Sequence, residues 1–232
     1  MYVVVRAEHT LTSPLGVALP GMIPCQMMLR FNPNDSIYVE SRVYSPASLP
    51  PLPRSGLSLC LDSSFSRVEW CGLGPHEAYD DRKSCCHLGV FSCNVTDLHT
   101  PYVMPQENGR RTAPRFRLKI YHFMWLSFVR WIVFHDDSGQ RSLRVTPHDS
   151  ADCGDFGFSA SYFSSEILEA CAHDYELEPD AERNIYVHLD RRMMGVGGFD
   201  SWSPNVEQEF LIKRGRSILT HVTFQPFVSE RK

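Results

Sequence analysis

The sequence predicts an all-β protein, a large antiparallel β-sandwich with one short helix. Apolar residues alternate with polar ones over short runs, which is the pattern of half-buried strands. Pro, Gly and Asp cut those runs at close intervals. Aromatic residues make up 12% of the chain, with 4 Trp, 9 Tyr and 14 Phe, a composition that suits pleated surfaces. At 232 residues the chain is long enough to bury a core without staples, and all-β sandwiches of this length form a single domain.

The alternation assigns faces. "SIYVESRVYS" (36–45) sets Ile37, Val39 and Ser41 against Tyr38 and Glu40. "GLSLCLDS" (56–63) puts Leu57, Leu59 and Leu61 on one face. "NIYVHLD" (184–190) sets Ile185, Val187 and Leu189 against Tyr186, His188 and Asp190, and "SILTHVTF" (217–224) repeats the pattern near the C-terminus. Prolines 46, 50, 51 and 53 mark a stiff connection between two strands. One short helix is expected where Ser164 offers a cap, Glu166 favours the first turn, and Ile167, Leu168 and Cys171 face inward. Residues 1–35 are weakly patterned strands of the same domain, and the sandwich proper runs over 36–228. "LKIYHFMWLSFVRWIVF" (118–134) breaks the pattern. It is almost continuously apolar, too short to span a bilayer comfortably, and interrupted by Arg130. In isolation it reads as one long buried strand or two.

Charge and cysteine usage narrow the function classes. The net charge is −4, from 23 basic and 27 acidic residues, which argues against a nucleic-acid footprint. Eight cysteines stand at 25, 60, 71, 85, 86, 93, 153 and 171. None forms a C-x-x-C pair, so a zinc site is not expected, and the irregular spacing fits reduced, packed thiols. The N-terminal "MYVVVRAEHTLTSPLG" lacks a basic start followed by a long apolar run. No secretory signal is read there, and a cytoplasmic location is expected. Asn94-Val95-Thr96 matches a glycosylation sequon, which has no consequence without a secretory route.

Three stretches concentrate unusual residues. "VEWCGLGPHEAYDDRK" (68–83) ends a strand in a turn made by Gly72, Gly74 and Pro75 and then crowds His76, Glu77, Tyr79, Asp80, Asp81, Arg82 and Lys83. His76 and Glu77 are adjacent and point to opposite faces of an extended chain, which disfavours an acid/base pair. The better reading is structural: Arg82 and an Asp tie a loop by charge-assisted hydrogen bonds. "DLHTPYVMPQENGRR" (97–111) carries a tight-turn signal at Asn108-Gly109, and Glu107 before it reads as another clamp. "MMGVGGFDSWSP" (193–204) places Trp202 on a loop shaped by Gly195, Gly197 and Gly198, with Pro204 ending regular pairing. Trp202 either caps the core or stacks on a ligand. The sequence contains no phosphate-cradling glycine loop in context, no G-x-S-x-G and no H-E-x-x-H. From chemistry alone the chain is a rigid β scaffold with one aromatic loop, binding a sugar or another protein.

Taken in order, these three motifs resemble the C-terminal domain, or small chain, of the large family 2 β-galactosidases. "PLPRSGLSL" (51–59) and "FGFSASYFSSEILEACAH" (156–173) fit the same pattern, and the resemblance covers about residues 36–225. It implies a galactose mutarotase-like supersandwich that closes one side of an active site built elsewhere. The family's two catalytic glutamates, Mg2+ and Na+ lie in a (β/α)8 barrel that this chain lacks. Hydrolysis of terminal β-D-galactosides with retention needs two carboxyls about 5 Å apart. No catalytic residue and no cofactor are therefore expected here, and the implied partners are a β-galactoside and barrel-bearing domains or a large subunit. The resemblance makes Trp202 a stacking platform on the aglycone side, with Asp200 beside it; an indole face suits the C–H face of a sugar.

The departures from the family pattern are local. Phe199 stands where an acidic residue is usual, Met193 where histidine is common, and Cys71 where an aromatic is usual. "APRFRLKIYHFMWLSF" separates Thr112 from Val129, where the family runs almost directly on. Residues 113–128 therefore read as an insertion, of the kind a translated intron would give. Three readings follow: part or subunit of a β-galactosidase, a stand-alone carbohydrate-binding sandwich, and an inactive truncated fragment.

Overall fold

The computed structural model describes residues 2–11, 23–102, 111–112, 129–147, 156–178, 184–200, 202 and 205–228. The insertion expected at 113–128 lies outside them, as do Glu107 and Asn108. The described strands form two antiparallel sheets. The larger has the order β1-β2-β3-β12-β9-β8-β5-β6 and the smaller β4-β11-β10-β7. In chain order they are β1 (Val3–Leu11), β2 (Ile23–Phe31), β3 (Ile37–Ser45), β4 (Arg54–Asp62), β5 (Arg67–Gly74) and β6 (His87–Asn94). There follow β7 (Arg111–Thr112), β8 (Trp131–His135), β9 (Arg141–Pro147), β10 (Gly157–Ser161), β11 (Asn184–Met193) and β12 (Arg216–Val228). Among the described residues there is one α-helix, α1 (Ser165–Ala170), which follows β10. The antiparallel sandwich with a single short helix is the fold that the alternation predicts.

Cross-strand register turns the period of two into a core. Val39 stands opposite Val222. Leu57, Leu59 and Leu61 stand opposite Leu189, Val187 and Ile185, and Phe158 and Ala160 opposite Leu189 and Val187. Ile185, Val187, Leu189, Phe158 and Val222 are fully buried. They meet Val68, Trp70, Ile132, Phe134 and Val145 of the larger sheet in one cluster. Trp70 is its centre. Its ring lies 5.4 Å from Phe91 and 5.7 Å, edge-on, from Phe158. Its indole N–H donates to the Leu73 carbonyl at 3.1 Å, so a buried donor is satisfied. Gly56 lets β4 approach β11 closely, because a Cβ there would lie 2.2 Å from the Leu189 carbonyl oxygen.

Other expectations resolve in detail. The proline-rich stretch joins β3 to β4. Ser164 caps α1, its hydroxyl accepting from the Ile167 N–H at 3.2 Å, and Leu168 is the buried helix residue. Of the apolar stretch 118–134, the described part is residues 129–134, which lead into β8, and Ile132, Val133 and Phe134 there are all buried. β8 lies between β5 and β9, and both its faces are covered there. The described cysteines are free, but not uniformly packed: Cys25 is buried, whereas Cys60 and Cys85 are exposed. Among the described residues no helix is long and apolar enough to cross a membrane.

The weakly patterned N-terminus forms the edge of the larger sheet. All nine residues of β1 are exposed. β1 is also the one strand of that sheet absent from the core cluster and its packed neighbours. Val3, Val5, Ala7 and Leu11 share the face that continues through Met27 and Leu29 of β2 into the core. A long, flat, apolar edge strand is a template for pairing. The purified chain is accordingly expected to associate as concentration rises, and Val5→Lys to weaken that association. Light scattering across a dilution series checks this, and a monomeric mass at every concentration would contradict it.

The β8–β9 turn carries a second expectation. Burial pushes the Asp136 carboxyl up, but hydrogen bonds from Arg141, Ser138 and the Gln140 N–H outweigh it and hold it at about 2, below the ordinary 3.8. A folded-state value below the unfolded one stabilises the fold above about pH 4 and is lost as the pH falls from there towards 2. Asp136→Asn should flatten this part of the acid dependence of Tm, and an unchanged slope would count against it.

Candidate functional site

The site is built where two loops meet. One follows β5 of the larger sheet and carries His76 to Cys86; the other follows β11 of the smaller sheet and carries Met194 to Trp202. Tyr79 and Arg82 exchange backbone hydrogen bonds at 2.9 and 3.0 Å, which makes a tight loop and turns Asp81 outward toward the second segment. The Asp81 carboxylate accepts from the Val196 N–H at 3.1 Å and the Gly197 N–H at 2.7 Å. Successive N–H groups aimed at one anion form a backbone nest. Arg82 Nη2 donates to the Gly197 carbonyl at 3.1 Å. The adjacent acid and base thus grip opposite poles of the same stretch of backbone.

The glycines are required by this grip. At Gly195 a Cβ would stand 2.4 Å from Asp81 Oδ2, so any side chain would push the carboxylate off the nest. Gly197 and Gly198 have φ of 70° and 80°, a region that side chains resist. The loop's root is held by the Met194 N–H on the Pro53 carbonyl and the Gly195 N–H on the Phe210 carbonyl, both at 3.0 Å.

Beyond the glycines the loop turns outward. Asp200 Oδ1 accepts from the Trp202 N–H at 2.8 Å, an Asx-turn that sets the direction of the chain. Trp202 is 93% exposed and Phe199 58%. Trp202 is therefore not a cap on the core. An indole left in water loses the burial that normally offsets its cost.

Sequence-predicted residues separate into two groups. Gly195, Gly197, Gly198, Arg82, Asp200 and Trp202 lie on this pair of loops. Arg82 and an Asp tie the loop as expected, Arg82 through the Gly197 carbonyl and Asp81 through the Val196 and Gly197 N–H groups. Glu77 lies on the first of these loops too and is engaged by the hydroxyls of Tyr102 and Tyr79. Its hydrogen bond to Tyr102 pushes that phenol up, aided by burial. Glu107 and Asn108 fall outside the described residues. The sequence offers Asp80 and Asp81 as the acid of this clamp, and Asp81 is the one that holds the glycine loop. Its signal was present, an Asp-Arg pair in one motif and a glycine run with N–H groups to satisfy in another, but nothing in the sequence placed the two in contact.

Among the described residues, no three His, Cys, Asp or Glu side chains converge as a metal site. The arrangement offers an exposed aromatic plate beyond a clamped glycine segment.

A family model described as "Beta galactosidase small chain" matches residues 2–224. A β-galactosidase of Pseudoalteromonas haloplanktis is 35% identical over 190 residues, covering 82% of this chain and 15% of that protein. One from Vibrio cholerae is 39% identical over 166 residues, covering 72% and 13%. One from Leuconostoc mesenteroides is 31% identical over 208 residues, covering 90% and 17%. The chain spans less than a fifth of the length of these relatives. Among solved structures, a GalM/aldose epimerase homologue from C. elegans aligns over 99% of this chain and 69% of its own, with a TM-score of 0.45 and 11% identity.

The grip is testable by a double-mutant cycle. Gly195→Ala is expected to destabilise the fold by about 1–3 kcal/mol through the clash with Asp81. In an Asp81→Ala background most of that cost should vanish. Chemical denaturation of the four proteins measures it, and an equal cost in both backgrounds would place the strain elsewhere.

Proposed function

Because the chain belongs to the β-galactosidase small-chain family, we propose that it forms one wall of a galactoside-hydrolysing site whose catalytic carboxylates lie in a separate barrel. The observation that carries this reading is the clamped loop: Asp81 and Arg82 fix the glycines, and Trp202 stands almost fully exposed beyond them. An exposed indole is suited to stack on the apolar face of a sugar leaving group. Preorganisation of the loop means that little freedom is lost when the sugar arrives.

In this reading the chain contributes binding and the barrel contributes chemistry. The barrel's two carboxylates perform the retaining displacement, one as acid/base and one as nucleophile. Trp202 holds the aglycone against the barrel and excludes water from that side. Its stacking acts mainly on ground-state and transition-state binding together, so its loss should raise KM more than it lowers kcat. Phe199 extends the apolar surface of the loop and favours aglycones with an apolar face.

The test is hydrolysis of a chromogenic β-galactoside by the chain alone, and by the chain mixed with a β-galactosidase fragment that bears the barrel but lacks its C-terminal domain. Activity is expected in the mixture alone. Trp202→Ala should lower kcat/KM by about tenfold, the effect of losing roughly 1.4 kcal/mol of stacking. Activity of the chain alone would contradict the division of labour. Sugar binding by the chain alone, without activity in any mixture, would favour a stand-alone carbohydrate-binding sandwich.

A further inference from the structure

We propose that Cys85 and Cys86 form a bidentate site for a soft trivalent arsenical, a role independent of the galactoside reading. The two sulfurs stand 3.8 Å apart. Cys85 is exposed and Cys86 half-buried, so the pair is open to a small reagent on one side. Cys86 is anchored from below, its thiol directed at the carbonyls of His76 at 3.5 Å and Glu77 at 3.4 Å. Its N–H bonds the Lys83 carbonyl at 3.0 Å, which holds the turn that presents both side chains.

Geometry decides between a disulfide and a chelate. Adjacent residues fix their Cα atoms about 3.8 Å apart, inside the roughly 4.4–6.8 Å that relaxed disulfides span. Closing the bond would strain the ring and leave it easily reduced. A bridging atom meets no such obstacle. Two bonds of about 2.3 Å, the length zinc makes to thiolates, span 3.8 Å at an angle of about 110°, a little wider than a pyramidal trivalent centre prefers. A soft, thiophilic centre that needs only two sulfurs therefore fits once the two sulfurs close slightly.

The reaction balances without an oxidant. An organic arsonous acid, R–As(OH)2, exchanges both hydroxyls for sulfur. Two S–H and two As–O bonds break, two As–S bonds and two O–H bonds form, and two waters leave. Arsenic remains trivalent throughout. The second As–S bond forms within one molecule, so the chelate should outlast attachment to any single thiol by about a hundredfold or more.

The experiment treats the full chain with phenylarsonous acid in the presence of millimolar glutathione and reads intact mass. One retained adduct per chain is expected, with digestion placing it on the peptide that contains both cysteines and a small dithiol removing it. Cys85→Ser and Cys86→Ser should each reduce retention by about a hundredfold. Cys60→Ser, which changes another exposed thiol, should not. Serine at 86 keeps a donor for the two carbonyls, and thermal melting confirms that each variant is folded. Absence of a retained adduct on the wild-type chain, mapping to another peptide, or undiminished retention in either variant would overturn the assignment.

Discussion

The hydrogen bonds from Val196 and Gly197 to the Asp81 carboxylate are the constraint on which the site depends. They join a loop leaving the larger sheet to a loop leaving the smaller one, at one end of the sandwich. A buried core holds two sheets together but leaves their end loops free to differ. The carboxylate removes that freedom at one point. Two backbone donors that would otherwise need water are satisfied, and the Arg82 bond to the Gly197 carbonyl fixes the opposite pole of the same peptide segment. Gly195 is the steric counterpart of this electrostatic contact.

Below the loops the sandwich is unequal. Eight described strands face four, and the smaller sheet packs its buried residues against the middle of the larger one. Trp70, Phe91, Phe134 and Phe158 concentrate the aromatic mass where β5 and β10 meet. The same inequality leaves β1 exposed along its length with an apolar face.

The sequence made the strands legible because their period of two survives in the structure. Val187 and Leu189 are buried, as their alternation requires. The helix was legible from the Ser164 cap. β1 was less so. Its apolar face is real but uncovered, and a strand that does not reach the core leaves a weaker pattern. The buried run Ile132-Val133-Phe134 could not be read by alternation at all, since both faces of β8 are covered. At the site, glycines and Trp202 announced a shaped loop, because positive φ and an unplaced aromatic are local properties. The partner of that loop was not local: Asp81 and Gly197 are 116 residues apart, and only the packing of the two sheets brings them together. The vicinal cysteines were visible as adjacent letters, but their open, bridgeable geometry was not.

The most direct measurement is amide hydrogen exchange at Val196 and Gly197, compared between the wild-type chain and Asp81→Asn. Protection of both amides in the wild type, falling at these two positions in the variant while the core strands stay protected, is the predicted result. Rapid exchange at both amides in the wild type, or protection that the variant leaves unchanged, would mean that Asp81 does not hold the loop and that the exposure of Trp202 has another origin.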